Sequence, residues 1–496
     1  MGMRRTFLIS VFLLVCVLVL PAGVSAATRS LSSGMSGADV TALQQALIGK
    51  GYLSAAATGY FGSLTLAAVK KFQCEQNIVC SGSSYGLAGP KTQAALGLGD
   101  SVPATPPVQA GTLTGKSLTG PYTGPLEFSG WVPDWRAASG TADVTPHLSQ
   151  LKSVMPFSYA VSDDGKLIDH AKISQGVWPA FIAAAKAKGV RVVPTVMWGD
   201  GEAMHRILSN STTRIALEDE IAATVMANGF DGIDIDFEAK KADTINYFST
   251  FLKGLYQRMG NKWVYCAIEA RMPLEDRYST GATIPPDATT YANDYAAINK
   301  YCDRVEIMTY DQGTVSVRLN GARTAPYAPV ADPGWAENIV KLAAQSIAKN
   351  KIIIGIANYG YEYEVTPLGN GGYKYKRLWA FNPNYALQIA AQYGVTPMRT
   401  SAGELGFTYT PPSAALGVGP GFANQTQTPE NTSPTTSVAQ NAGGQTNTFQ
   451  PFNYITWSDP AAIKDKVDLA RRLGVRGVAV FSLGGAADPT MWDMLK

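Results

Sequence analysis

Eight residues, Asp231-Gly-Ile-Asp-Ile-Asp-Phe-Glu238, constrain the fold more than any other stretch. They follow an apolar-periodic helix candidate, Ile215 to Met226, closed by Asn228-Gly229. The alternation predicts a strand, whose side chains point to opposite faces in turn. Ile233, Ile235 and Phe237 then share one face, and Asp234, Asp236 and Glu238 share the other. Successive acids on that face sit roughly 7 Å apart in Cα. Asp is a poor strand former, and three carboxylates in a row repel one another. The pattern makes sense where that face lines a polar cavity. Crowding there raises at least one pKa, so one carboxyl keeps its proton near neutral pH. A proton donor beside ionised carboxylates is what cleavage of a glycosidic bond requires.

Two plainer readings compete. An acidic strand edge would not interleave its acids with large apolar residues. A divalent-cation site would space its oxygens with glycine turns rather than along a stiff apolar strand. Neither a metal nor a cofactor is therefore expected.

A chain of 496 residues, 46% of them hydrophobic, can hold two or more domains and a large core. From Leu126 onward, strand-like runs alternate with helical ones, the mark of a parallel α/β domain. Eight strands are predicted: Glu127 to Val132, Ser153 to Tyr159, Arg191 to Met197, Gly232 to Glu238, Trp263 to Ala270, Arg304 to Tyr310, Ile352 to Asn358 and Gly477 to Leu483. Helical patterns such as Trp178 to Lys188 and Asp332 to Lys349 lie between them. The expected fold is a (β/α)8 TIM barrel over 126–496, with its site at the C-terminal strand ends. Glu238 ends the fourth strand, as that rule wants. An insertion of about 361–451 separates the last two strands. Its first part, with Tyr373, Tyr375, Trp379 and Phe407-Thr-Tyr409, reads as a small β-containing lobe. The Gly-, Asn-, Gln-, Thr- and Pro-rich stretch 411–450 is expected to lack fixed structure.

The beginning of the chain reads as a signal peptide over 1–26. Arg4 and Arg5 precede the apolar run Phe7 to Leu20, and Val24-Ser-Ala26 suits cleavage. An uncleaved anchor is the alternative. Export would expose the four cysteines beyond Cys16 to oxidising conditions. Cys74 and Cys80 can close a small loop, whereas pairing of Cys266 with Cys302 stays open at this point. Residues 28–98 form a helical module. Gly37-Ala-Asp39-Val40 starts a helix with Leu43, Leu47 and Ile48 on one face, Thr65 begins a second, and Gly89-Pro90-Lys-Thr92 begins a third. The Pro-, Gly-, Ser- and Thr-rich span 99–125 suits a linker that would let a tethered enzyme sweep nearby polymer. A net charge of +3 leaves no nucleic-acid footprint, and no membrane contact is expected after signal cleavage.

The stretch Asp231 to Glu238 resembles the signature D-G-x-D-x-D-[WF]-E of glycoside hydrolase family 18, the chitinase-like barrels. The resemblance implies that Glu238 is the general acid/base. It implies that Asp236 turns and polarises the substrate's N-acetyl group, whose own oxygen attacks the anomeric carbon. Asp234 would hold Asp236. Asp231 opens the motif and is counted with the binding set, with a structural part implied. Met308-Thr-Tyr310-Asp311 resembles the family's M-x-Y-D. By that likeness Tyr310 bonds the N-acetyl carbonyl, Met308 packs under the sugar, and Asp311 lines the groove. Two places depart from the family. Phe481 stands near a common Trp, and Val196-Met197-Trp198-Gly199 replaces Ser-x-Gly-Gly.

Trp131, Trp135, Tyr159, Trp198, Tyr359 and Tyr361 lie near strand ends, where rings stack on sugars. Trp198 and Tyr359 are the first choices, and Trp131 joins the binding set. Glu269 and Arg271 share a face and form either a polar clamp or a buried ion pair. The helical module resembles three-helix peptidoglycan-binding domains through Leu43-Gln44, Gly51-Tyr52, Phe61-Gly62, Ala68-Val69 and Phe72-Gln73. Together these resemblances imply a secreted or wall-associated monomer that cleaves β-1,4-linked N-acetylglucosamine polymers, peptidoglycan ahead of chitin. A glycan-binding protein on an inactive barrel is the alternative, and a wall-attached structural protein ranks last.

Overall fold

The computed structural model describes residues 30–81, 85–98, 120–368, 371–411, 450–484 and 488–496. The expected signal segment, most of the linker and most of 411–450 lie outside the described residues. The chain divides into two compact units, 1–108 and 109–496.

In the first unit, α1 (Ala38–Gly49), α2 (Ser63–Glu75) and α3 (Pro90–Ala95) enclose Leu31, Val40, Leu43, Leu47, Phe61 and Phe72. Two buried glutamines tie the turns to the helices. Gln44 Nε2 donates to Tyr60 O at 2.7 Å, and its Oε1 accepts the Gly59 N–H at 2.8 Å. Gln73 repeats the device with Leu87 O at 2.8 Å and the Gly86 N–H at 2.7 Å. Gly59 and Gly86 take φ of 73° and 97°, a region that side chains disfavour. Ile48, expected beside Leu43 and Leu47, is instead 39% exposed, at the rim of that stripe. Cys74 and Cys80 are bonded.

The second unit begins with seven parallel strands: β1 (Glu127–Pro133), β2 (Ser153–Val161), β3 (Thr195–Trp198), β4 (Gly232–Phe237), β5 (Trp263–Glu269), β6 (Arg304–Met308) and β7 (Ile352–Ala357). A lobe follows, with β8 (Gly360–Pro367), β9 (Tyr373–Phe381), β10 (Met398–Arg399), β11 (Leu405–Tyr409) and β12 (Phe452–Trp457). The chain then returns as β13 (Gly477–Phe481), which pairs with both β7 and β1. Because β1 also pairs with β2, the eight parallel strands close into a barrel. The third strand, expected as one run, is broken. Arg191–Val192 forms its own short strand beside β2, and Pro194 interrupts the ladder because it has no N–H to donate. Pro194 O still accepts the Asp234 N–H at 2.9 Å.

Parity along the strands decides what faces where. Ile233, Ile235 and Phe237 point outward and pack with Phe248 and Phe251 of the helix Ile245–Met259. Each such side chain, fully buried, contributes about 1.5–3 kcal/mol. Several helices start on side-chain caps. Asn210 caps Ser211–Ala227, Asp332 caps Pro333–Ala343 and Asp459 caps Pro460–Leu473. Inside the barrel, Met155, Val193, Tyr265, Ile353 and Ala479 form an apolar plug. Cys266 on β5 is bonded to Cys302, just before β6.

The lobe sheet is antiparallel in the order β9-β8-β12-β11-β10. It carries a helix, Pro383–Tyr393, that the expectation of a β lobe did not include. Glu404 fastens it to the barrel side, accepting the N–H groups of Val330 at 2.9 Å and Ala331 at 2.7 Å and the Thr456 hydroxyl at 3.0 Å.

At the N-terminal end of the barrel, Glu127 on β1 takes a two-pronged bond from Arg304 on β6, at 2.7 and 2.8 Å. Arg476 and Arg191 approach the same carboxylate at 3.8 and 4.0 Å. Burial alone would raise the Glu127 pKa, but Arg304, Arg476 and Arg191 together outweigh it and hold it low. Glu127→Gln therefore leaves three arginines facing a neutral group and is expected to cost about 3–5 kcal/mol in denaturant unfolding at pH 7. A carboxyl with a depressed folded pKa stabilises above its ordinary value of 4.5 and loses that contribution as pH falls through the folded value. The gap between wild type and variant should thus narrow in acid; a gap that stays constant from pH 7 to pH 3 would contradict this.

Candidate active site

β4 delivers two carboxyls into a closed interior and a third to its rim. Asp234 is fully buried; its Oδ2 accepts from Trp131 Nε1 at 2.9 Å and Thr195 Oγ1 at 2.8 Å. Its Oδ1 meets no N–H or hydroxyl donor among the described residues. Glu306 on β6, also fully buried, contacts Asp234, and neither of its oxygens meets such a donor. Two ionised carboxylates about 4 Å apart would repel by about 4 kcal/mol in a protein-like dielectric. One shared proton removes that repulsion and supplies the missing hydrogen bond. Burial raises the Glu306 pKa well above the ordinary range, and the Asp234 and Asp236 charges push it further. Burial also raises that of Asp234, against the bonds from Trp131, Thr195 and Glu306. The larger push on Glu306 favours it as the side of the pair that carries the proton.

Asp236 lies one step nearer the mouth and is almost wholly buried. Burial lifts its pKa far above the usual value; Glu238, Asp234 and Glu269 add to this, and Lys240 opposes it. Glu238 follows β4 and is half-buried, with its N–H donated to Trp198 O at 2.8 Å. Lys240 Nζ donates to Phe237 O and reaches Glu269 at 3.0 Å. Asn293 Nδ2 also donates to Glu269, at 2.7 Å. Burial would raise the Glu269 pKa, but Lys240 and Asn293 bring it below the ordinary value.

Tyr310 completes the floor. Its ring stacks on Phe481 at 5.9 Å and meets Tyr359 edge-on at 6.3 Å. Burial, then the charges of Asp236, Asp311 and Glu238, hold its pKa well up, so the hydroxyl stays a donor. A Cβ on Gly355 would fall 2.6 Å from Ile307 O and 2.9 Å from the Tyr310 ring, so β7 needs glycine there. Asp311 is exposed at the rim and accepts from Tyr361 Oη at 2.7 Å and from Tyr359 Oη.

Glu238, Asp236, Asp234 and Tyr310 thus come together as expected, with Met308, half-buried, beside Glu269 in register. Phe481 lies where a floor ring was expected, between Tyr310 and Trp131. Four expectations need correction. Trp198, expected to stack on sugar, is 2% exposed and packs on Phe237 at 5.3 Å on the helix side, because parity puts it with Val196. Trp131 is also 2% exposed and serves Asp234 through its indole N–H instead of offering a ring. Asp231 precedes β4 at the opposite end of the barrel, where it accepts the Val192 N–H at 2.9 Å. Glu269 and Arg271 form no pair with each other. Glu269 takes Lys240, while Arg271 lies between the rings of Tyr291 and Tyr295 at 3.7 and 3.9 Å. Sequence reasoning missed Glu306, although period two from Tyr310 and Met308 puts it on their face. It named Trp135 among the strand-end aromatics but left it out of the binding set, although that residue is 42% exposed just past β1.

Glu306→Gln keeps an N–H for Asp234, whereas Glu306→Leu leaves Asp234 Oδ1 buried without a donor. Leu should therefore cost about 1–3 kcal/mol more than Gln in chemical denaturation at pH 7. Infrared difference spectra of wild type and Glu306→Gln should also reveal the band of a neutral carboxyl at that pH. Equal stabilities with no such band would mean that Glu306 is an anion.

Residues 130–486 match the family described as "Glycosyl hydrolases family 18", and residues 36–96 match "Putative peptidoglycan binding domain". The chain is 24% identical over 229 residues to the uncharacterized glycosylase YvbX of Bacillus subtilis, covering 45% of this chain and 60% of that one. It is 27% identical over 190 residues to the cortical fragment-lytic enzyme of the same species, covering 38% of this chain and 39% of that one. It therefore spans less than two thirds of the length of these curated relatives. The spore cortex-lytic enzyme SleL of Bacillus cereus shares the fold, with a TM-score of 0.53 and 17% identity over 75% of this chain and 73% of that one. The family match runs from the middle of β1 to just past β13 and so takes in nearly the whole barrel. On that extent the chain belongs to glycosyl hydrolases family 18.

Proposed function

We propose that the protein is an exported, retaining glycosidase that cleaves β-1,4-linked N-acetylglucosamine polymers, peptidoglycan ahead of chitin, by substrate-assisted chemistry. The observation that carries this reading is that one strand puts Asp234 and Asp236 inside the barrel and Glu238 at its rim, with the Tyr310 ring stacked on Phe481 close enough to feel the charges of Asp236 and Glu238. Burial first, then the neighbouring charges, raise the Asp236 pKa well above its usual range, which favours a proton shared with Glu238. Glu238, at the rim, gives that proton to the glycosidic oxygen as the bond to the anomeric carbon breaks. The substrate's acetamide oxygen closes on that carbon from the other face, giving a cyclic oxazolinium and the released alcohol. Asp236 takes the acetamide N–H, and Tyr310 steadies the acetamide oxygen. Glu238, now ionised, removes a proton from water, which opens the ring with net retention.

Three features support a wall substrate. Arg4, Arg5 and the apolar run after them suit export. The first unit carries the peptidoglycan-binding family match. One relative is named for lysis of cortical fragments.

Glu238→Gln should lower turnover by about 10²–10⁴-fold while binding of N-acetylglucosamine oligomers is kept. Full turnover in that variant would remove Glu238 from the role. Mass spectrometry of digests of purified peptidoglycan and chitin should find new reducing N-acetylglucosamine, chiefly from peptidoglycan. Reducing muramic acid would overturn the bond assignment, and release from chitin alone would overturn the wall preference.

A further inference from the structure

We propose that a cavity beside the end of β5 is a subsite for a carboxylate carried by the glycan, held by Arg271 and Arg277. This rests on the wall-glycan reading above and narrows it: the enzyme would select strands whose sugars bear an acidic substituent. The cavity measures about 280 Å³, and its lining includes Glu269, Arg271, Arg277, Tyr291, Asn293 and Tyr295. A larger one of about 550 Å³ shares Met272 and Tyr291 with it and leaves room for a branched substituent.

The charges in this wall are unevenly matched. Glu269 is taken by Lys240 and Asn293. Asp276, next to Arg277 in the chain, is taken by Arg318 and Asn338. Arg271 donates to Asn293 O, and Arg277 donates to Ala288 O at 2.8 Å. Among the described residues, neither guanidinium has a carboxylate within ion-pair range, whereas Arg258, Arg304, Arg318 and Arg323 each do. Arg271 is held flat between Tyr291 and Tyr295, which fixes its donor fork in advance. Two buried polar atoms of the same lining also have bonding capacity to spare: Asn293 Oδ1 finds no partner among the described residues, and Tyr295 Oη faces only the Arg271 backbone. A carboxylate would use the arginine donors and the tyrosine hydroxyl, and an amide N–H beside it would use the asparagine oxygen.

Position links the cavity to the acid cluster. Glu269 ends β5 and belongs to the cavity wall, and Lys240 ties it to the carbonyl of Phe237, next to Glu238. Lys240 also offsets the Glu269 charge, which would otherwise repel an incoming anion. In peptidoglycan every second sugar carries a lactyl ether, whose carboxylate is either free or extended by a peptide. Chitin has no such group.

The test measures binding in the Glu238→Gln protein, so that no substrate is consumed. Calorimetry would compare peptide-free N-acetylglucosamine–N-acetylmuramic acid tetrasaccharide with its amidated form and with the peptide-bearing form. The free acid should bind about tenfold tighter than the amide, the size of a charge-assisted contact. Arg277→Gln and Arg271→Gln should each erase most of that preference, and Arg277→Lys should restore part of it. The second position guards against Arg271 being needed for the local fold. A peptide-bearing form that alone exceeds the amide would still support the subsite and would name the peptide carboxylate as its ligand. Equal affinity for acid, amide and peptide-bearing form, no binding at all, or a preference untouched in both Gln variants would overturn the proposal. Release of no reducing sugar by the Glu238-intact protein would overturn the hydrolytic reading instead, and the charge preference would still be measured.

Discussion

Three carboxyls share the inside of a closed sheet, and most of the site follows from how few charges that space can hold. Asp234 and Glu306 are fully buried, and Asp236 nearly so. An isolated ionised carboxylate so buried would cost far more than one hydrogen bond returns. The structure answers with donors where it can. Trp131 and Thr195 serve one oxygen of Asp234, and the raised pKa of its neighbour Glu306 favours a proton there that could serve the other. That leaves Asp236 with an unmet oxygen and a raised pKa, crowded most by Glu238, which is partly open. On the proposed mechanism, the proton that Glu238 gives up would thus be a by-product of a buried electrostatic conflict.

The conflict persists because the acids cannot turn away. The outward face of β4 is locked by Ile233, Ile235 and Phe237 against the helix Ile245–Met259. Slipping the strand by one residue would bury the acids among apolar groups and expose the large side chains to the interior. At the other end of the barrel, Glu127 gathers three arginines, so its charge is matched far from the mouth. Between the two ends, the apolar plug around Tyr265 and Ile353 keeps the charge systems apart. Gly355 then leaves room for the Tyr310 ring, which Phe481 supports from below.

Parity explains what could be read from the chain and what could not. The β4 ladder was legible because its alternation is strict and its two faces differ so sharply in chemistry. Eight strands were countable for the same reason, although Pro194 broke one of them in a way the apolar run conceals. Trp198 was misjudged because its chemistry suggested a sugar platform, while its parity with Val196 puts it among the helices. Trp131 has the right parity, but its partner, Asp234, lies 103 residues away, and no local pattern carries that bond. Asp231 belongs to the motif in sequence yet stands at the far end of the strand in space. Glu306 was within reach of the same argument, since it alternates with Met308 and Tyr310. Pairings across sequence, such as Lys240 with Glu269, need the closed barrel to become visible.

Charge also separates the two sides of the mouth. On the side of β6 and β7, Asp311 is exposed beneath Tyr359 and Tyr361. On the side of β5, Arg271 and Arg277 donate to backbone carbonyls and have no carboxylate in ion-pair range among the described residues. A net charge of +3 on 496 residues is too small to draw an anionic polymer from a distance, and ionic screening cuts off such pull beyond about 8 Å. Any preference for an acidic strand must therefore act after contact, through groups fixed in place. Arg271, clamped between two rings, meets that condition, whereas the flexible lysines of the outer surface do not. A strand lying across the mouth would then have a favoured direction, with its acidic substituents on the β5 side and its bare sugar faces toward Tyr359.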